Sequence, residues 1–109
     1  MLNTIREAQK QFQLLHQLLN LPMNRDTEYF TQLSIESEEA YVLMNAGMCV
    51  NTSVCRECAE HRDFIRSILE ILSELEIDAS AANTYAAKLT EYSERVNKIL
   101  KNITVVLSS

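Results

Sequence analysis

Residues 55 to 77 read CRECAEHRDFIRSILEILSELEI, and this stretch decides the fold class. Its seam positions recur at alternating spacings of three and four residues, which is typical of a helix packed along its whole length. These positions are Cys58, His61, Ile65, Ile68, Leu72 and Leu75. Phe64, Leu69 and Ile71 widen the apolar stripe on both sides, so a single neighbour cannot cover it. The stretch predicts a central helix that contacts at least two others.

Three other stretches show the same spacing, and the four together predict helices at about residues 2–20, 26–46, 53–77 and 79–107. The seams of helices 1, 2 and 4 are Ile5, Ala8, Phe12, Leu15 and Leu19; Phe30, Leu33, Ser37, Ala40 and Met44; and Tyr85, Leu89, Tyr92, Val96, Ile99, Ile103 and Val106. Asp26 and Asp78 stand where N-caps are expected, and Gly47 stands where a C-cap glycine is expected.

Four heptad-like helices with short linkers predict an all-α fold, an antiparallel up-down-up-down four-helix bundle with heptad-like packing that forms one domain over residues 1–109. The alternative is a three-helix arrangement in which helices 1 and 2 pair on another chain. One glycine and one proline are too few for a turn-rich all-β fold.

Composition narrows the classes of partner. The formal net charge of −5 argues against the basic footprint of a nucleic-acid-binding protein. Charged residues interrupt every apolar run, so we expect no membrane-spanning helix. The opening residues MLNTIREAQKQFQ lack the basic start and apolar run of a signal peptide. We therefore expect a cytoplasmic protein that has neither a nucleic-acid nor a membrane partner.

A cluster of cysteines and one histidine precedes and opens helix 3, with the spacing C-x5-C-x2-C-x2-H. It consists of Cys49, Cys55, Cys58 and His61, which are ligand types that zinc binds in tetrahedral sites. Three ligands within two turns of one helix converge poorly, however, and Cys58 and His61 lie on the apolar seam. We therefore favour buried or incidental thiols and no cofactor, with a zinc site as the alternative.

Two enzymatic interpretations are weaker. Cys58 and His61, three residues apart, are close enough for a thiol–imidazole pair, but the seam position of Cys58 argues against an exposed nucleophile. The glutamates cluster on solvated faces and lack the inward Glu-x-x-His spacing of di-iron bundles. These glutamates are Glu36, Glu38, Glu39, Glu70, Glu74 and Glu76. We therefore do not expect an enzyme.

Apolar residues outside the seams indicate a binding surface. They are Leu14 and Leu18 in a second row of helix 1, Ile35 and Val42 on the far side of helix 2, and Val105 on the outer side of helix 4. We expect a small protein-interaction module of the adaptor, chaperone or regulator type that binds helix to helix, as a homodimer or with another protein. Polar residues at Leu14 and Leu18 should then weaken association. The alternative is a metal- or thiol-responsive bundle that uses the cysteine/histidine cluster.

Overall fold

The computed structural model describes residues 2–20, 25–48 and 55–108, with side chains described for 4–20, 25–46 and 59–108. These ranges contain four α-helices and no strand. The helices are α1 (Leu2–Asn20), α2 (Thr27–Leu43), α3 (Cys55–Leu75) and α4 (Ala86–Ser108). The principal extents are 43 × 23 × 20 Å. Two helices side by side, about 8–10 Å apart, fill each of the shorter directions.

The four helices form the predicted four-helix bundle. Each helix packs against two neighbours, in the order α1, α2, α3, α4 and back to α1, so that α2 and α4 occupy opposite corners. The Tyr29 hydroxyl donates to the Leu18 carbonyl at 2.6 Å, and Gln11 donates to the Glu36 carboxylate at 2.7 Å. Later residues of α1 therefore meet earlier residues of α2, which makes this pair antiparallel.

The second pair is antiparallel as well. Arg95 of α4 contacts His61 of α3, and the Tyr92 ring lies 6.2 Å from the Phe64 ring. Near the turn between the two helices, the Tyr85 hydroxyl donates to the Glu74 carboxylate. The closer a contact lies to the turn, the fewer residues separate its two partners in the sequence, as in a helical hairpin.

The predicted seams form the core. In helices 2 and 3 every seam residue whose side chain is described is buried, and in the other two helices only positions near the ends are partly exposed. Those partly exposed positions are Ile5, Tyr85 and Val106. Phe64 is buried, and Leu69 and Ile71 pack against the core from the sides, so α3 has the broad apolar stripe that its sequence predicts.

The predicted N-cap of helix 2 is confirmed, and the prediction that Asp78 caps helix 4 from residue 79 is wrong. The Asp26 carboxylate accepts from the Tyr29 backbone N–H at 2.8 Å, which stabilises the start of α2 by about 0.5–2 kcal/mol. Asp78 accepts from the Ser80 N–H at 3.1 Å, but the element that it caps is a 3₁₀ turn, Ala79–Asn83. The tighter bonding of this turn reverses the chain after α3 ends at Leu75, and α4 begins only at Ala86.

The prediction that Gly47 is the C-cap glycine of helix 2 is wrong, because the C-cap of α2 is Met44. Among the described residues no glycine has a positive φ, and Gly47 lies inside a π-helical turn, Met44–Met48, that continues α2. The Asn45 side chain donates to the Tyr41 carbonyl at 3.1 Å. In an α-helix that carbonyl bonds the Asn45 backbone N–H, so the side chain competes with it where the turn widens.

Candidate functional site

His61 is a buried polar side chain on the core face of α3. Arg95 Nη1 of α4 lies 3.2 Å from His61 Nδ1. Because a guanidinium carries donors only, Nδ1 must be the accepting nitrogen, and in the neutral imidazole the proton is then on Nε2. This contact supplies the polar partner that a histidine in an apolar seam requires.

Arg95 makes three kinds of contact, and two of them, to His61 and Phe64, link α4 to α3. Its Nε donates to the Glu91 carboxylate at 3.0 Å within α4, which is the i, i+4 geometry that stabilises a helix by a few tenths of a kcal/mol. Its guanidinium carbon lies 4.4 Å from the centre of the Phe64 ring, within the range of a cation–π interaction. Arg95 therefore holds the two helices together at the level of His61.

A cleft of about 330 Å³ opens between α3 and α4 at this point. Its lining residues are Glu60, His61, Glu91, Glu94, Arg95 and Lys98. Three carboxylates and two cations line it, so both signs of charge are present and neither is concentrated. A site for an anion or a cation concentrates one sign, and this cleft therefore favours neither class of ligand.

The structure leaves the cysteine prediction open. Cys49 lies outside the described residues, and Cys55 and Cys58 belong to α3 with side chains outside the described ranges. Among the described side chains, no group of three or more potential ligands is close enough to hold a metal ion. His61 Nδ1 faces Arg95, so a metal bound by this histidine would use Nε2.

The zinc alternative can be tested by substituting each of the two histidines in turn, because only one of them is a predicted ligand. It predicts one zinc ion per chain in protein purified under reducing conditions, and loss of that ion in His61→Ala because one of four ligands is removed. His16→Ala is the matched control, since His16 lies on α1 and contacts Asn20. Native mass spectrometry reads the metal content of all three proteins. If the mass of the parent protein includes no bound metal, the zinc-site hypothesis is refuted.

The predicted surface residues divide into exposed and half-buried groups. Ile35 and Val42 of α2 are 55% and 56% exposed, and Val105 of α4 is 69% exposed. Leu14 of α1 is 38% exposed, whereas Leu18 packs against the edge of the core. In the second apolar row of α1, Leu14 therefore faces solvent and Leu18 contacts the core. A polar residue at Leu18 would disturb the bundle itself.

The clustered glutamates lie where solvent reaches them. Glu38, Glu39, Glu70 and Glu74 are exposed, and Glu36 and Glu76 are partly buried. Glu36 accepts hydrogen bonds from Gln11 of α1 and from Gln32 of its own helix. The described side chains thus place these carboxylates at the helix surface.

A buried hydroxyl pair crosses the bundle between opposite corners. Ser37 Oγ of α2 and Tyr92 Oη of α4 lie 2.6 Å apart, and both residues are fully buried. Burial raises the pKa of the Tyr92 phenol, and the hydrogen bond to Ser37 acts in the opposite direction. The sequence places both residues in seams but gives no sign that they meet.

Comparisons with protein-family models, with curated proteins and with solved structures find no match to this chain. By length and hydropathy together, none of the helices within the described ranges qualifies as a membrane-spanning segment.

Proposed function

We propose that this chain is a protein-interaction module of the adaptor, chaperone or regulator type, which binds helix to helix and associates with itself. One observation carries the proposal: aliphatic side chains are exposed on the outward faces of α2 and α4, whereas the seam residues of these helices form the core. Single exposed aliphatic residues are normal, but Ile35 and Val42 are seven residues apart and so share one side of α2.

The proposal assigns binding, and no catalytic step, to these faces. Its contact residues are Ile35, Val42 and Val105, together with the partly exposed Leu14 of α1. We place the module in the cytoplasm, because three cysteines are an odd number and suit a reducing compartment better than a disulfide framework.

Association should depend on the aliphatic residues of α2. In sedimentation velocity over a range of protein concentrations, we expect the parent to exceed the monomer mass. The double variant Ile35→Gln/Val42→Gln should shift toward the monomer by at least about tenfold in dissociation constant, since apolar area no longer leaves water on binding. Both residues are exposed, so the fold should be retained.

Ile77→Gln is the matched control. Ile77 is 85% exposed and lies in the turn after α3, outside both outward faces. This variant removes an exposed aliphatic side chain of the same kind and should associate as the parent does. A parent that remains monomeric at every concentration would refute self-association.

A further inference from the structure

The outward side of α2 combines apolar and acidic residues. Glu38 and Glu39 are exposed and lie between Ile35 and Val42 in the sequence, on the same side of the helix. We call these four residues the α2 face. The helix as a whole, Thr27–Leu43, contains four glutamates and no lysine or arginine. A surface that covers the α2 face must therefore bring apolar contact and positive charge.

The outward side of α4 carries two lysines and one glutamate beside an exposed valine, and the glutamate, Glu94, lies one turn before Lys98. Lys101 and Lys98 precede the exposed Val105 by four and seven residues, which places all three on one side of the helix, and both lysines are exposed. We call these three residues the α4 face. Ala86–Ser108 carries four basic and two acidic residues. The chain thus contains both the acidic apolar face and a basic apolar face that would fit it.

The two faces cannot meet within one molecule. Helices α2 and α4 occupy opposite corners of the bundle, each packed between α1 and α3. Since both faces lie opposite the buried seams of their helices, they point to opposite sides of the molecule. Only a second copy can place an α4 face against an α2 face.

We propose that copies of this chain associate head to tail, with the α2 face of one copy against the α4 face of the next. This inference rests on the proposed function and specifies its contact. Pairing the α2 face with itself would bring the Glu38 and Glu39 carboxylates of both copies together, and like charges across an interface oppose binding. A head-to-tail contact does not close after two copies, so assemblies larger than a dimer form, as a ring or an open chain.

Two variants that each block one face test this arrangement. The first is Ile35→Gln/Val42→Gln, which removes the apolar part of the α2 face. The second is Lys101→Glu/Val105→Glu, which makes the α4 face acidic. Each variant alone should be monomeric at concentrations where the parent forms assemblies. An equimolar mixture should form a dimer with one copy of each variant, because one intact α2 face and one intact α4 face remain.

Native mass spectrometry distinguishes the 1:1 dimer from other species, since the two variants differ in mass. Its dissociation constant should lie within about threefold of that for one parental contact, and each variant alone should bind at least about tenfold more weakly. Raising the salt concentration should weaken the mixed dimer, because its charges are at the surface. Far-UV circular dichroism checks the fold, and Lys101→Gln/Val105→Gln replaces the second variant if the two glutamates disturb it.

The outcomes separate this inference from the proposed function. A parent that associates while the mixture stays monomeric overturns the head-to-tail contact and leaves the interaction module standing. A first variant that still assembles like the parent also overturns it. A parent that is monomeric at every concentration overturns the self-association in the proposed function, and the head-to-tail contact with it.

Discussion

Leu72→Ala is expected to lower the free energy of unfolding by about 2–5 kcal/mol. Leu72 is fully buried in the middle of α3, within the core cluster to which all four helices contribute. The substitution removes the transfer free energy of the deleted methyl and methylene groups. It also leaves a cavity that helices packed on two sides cannot close, and the two terms add. Equilibrium urea denaturation, followed by circular dichroism, measures the loss.

The control for this measurement is Ile77→Ala, which deletes similar atoms from a side chain in contact with solvent and should change stability by less than about 0.5 kcal/mol. Both variants and the parent should be compared at one low protein concentration, because association stabilises the folded state by mass action. A Leu72→Ala protein that unfolds at the same urea concentration as the parent, with the same slope, would show that α3 is not the centre of the core.

The periodicity of the sequence was sufficient to predict which residues form the seams. Burial depends on which side of a helix a residue occupies, and the spacing determines that side. Ser37 shows this well: a polar residue in an apolar seam was predicted to face inward, and it is fully buried. The same pattern predicted the solvent-facing glutamates of α2 and α3. That Asp26 and Asp78 would act as caps was predictable for a similar reason, because each accepts from an N–H group two or three residues further along the chain.

To predict a contact between two helices, one must know their relative positions along the bundle axis. The residue spacing within one helix does not give this information. For α3 and α4 a signal did exist. His61 and Arg95 are each seventeen residues from Asp78, and Phe64 and Tyr92 are each fourteen residues from it. A helical hairpin that turns at Asp78 brings such equidistant residues to the same height, since the rise per residue is the same in both helices.

No such signal exists for the pair formed by Ser37 and Tyr92. These residues belong to helices at opposite corners, so their relative height depends on every turn between them. The π-helical turn after α2 was equally hidden, because the spacing of apolar residues gave no sign of a wider turn there. The cysteine cluster lies largely outside the described side chains, and its role stays a prediction.

The stability of the protein should fall above about pH 10, and Tyr92 should cause a large part of the fall. The unfolded chain ionises its tyrosines near that pH, whereas burial raises the pKa of Tyr92 and keeps its phenol protonated in the folded state. Deprotonation then favours the unfolded state. The contribution of Tyr92 is therefore complete below pH 10 and is lost as the pH rises toward the folded pKa, at up to about 1.4 kcal/mol per pH unit.

Tyr92→Phe should remove this share of the alkaline loss and leave the share of Tyr29, whose pKa is also raised by burial. At neutral pH the same variant should cost about 1–3 kcal/mol, because the buried Ser37 hydroxyl loses the partner that lies 2.6 Å away. Urea denaturation of parent and variant at pH 7 and at several values above pH 10 measures both effects.

The double variant Tyr92→Phe/Ser37→Ala is the control that isolates the hydrogen bond. Removing both hydroxyls leaves no buried polar group without its partner, so the double variant should be more stable at pH 7 than Tyr92→Phe alone. A double-mutant cycle with Ser37→Ala then gives the coupling energy of the pair. Additive single-variant losses would mean that the two hydroxyls do not meet across the core. Equal alkaline slopes for the parent and Tyr92→Phe would mean that burial does not raise the pKa of the Tyr92 phenol.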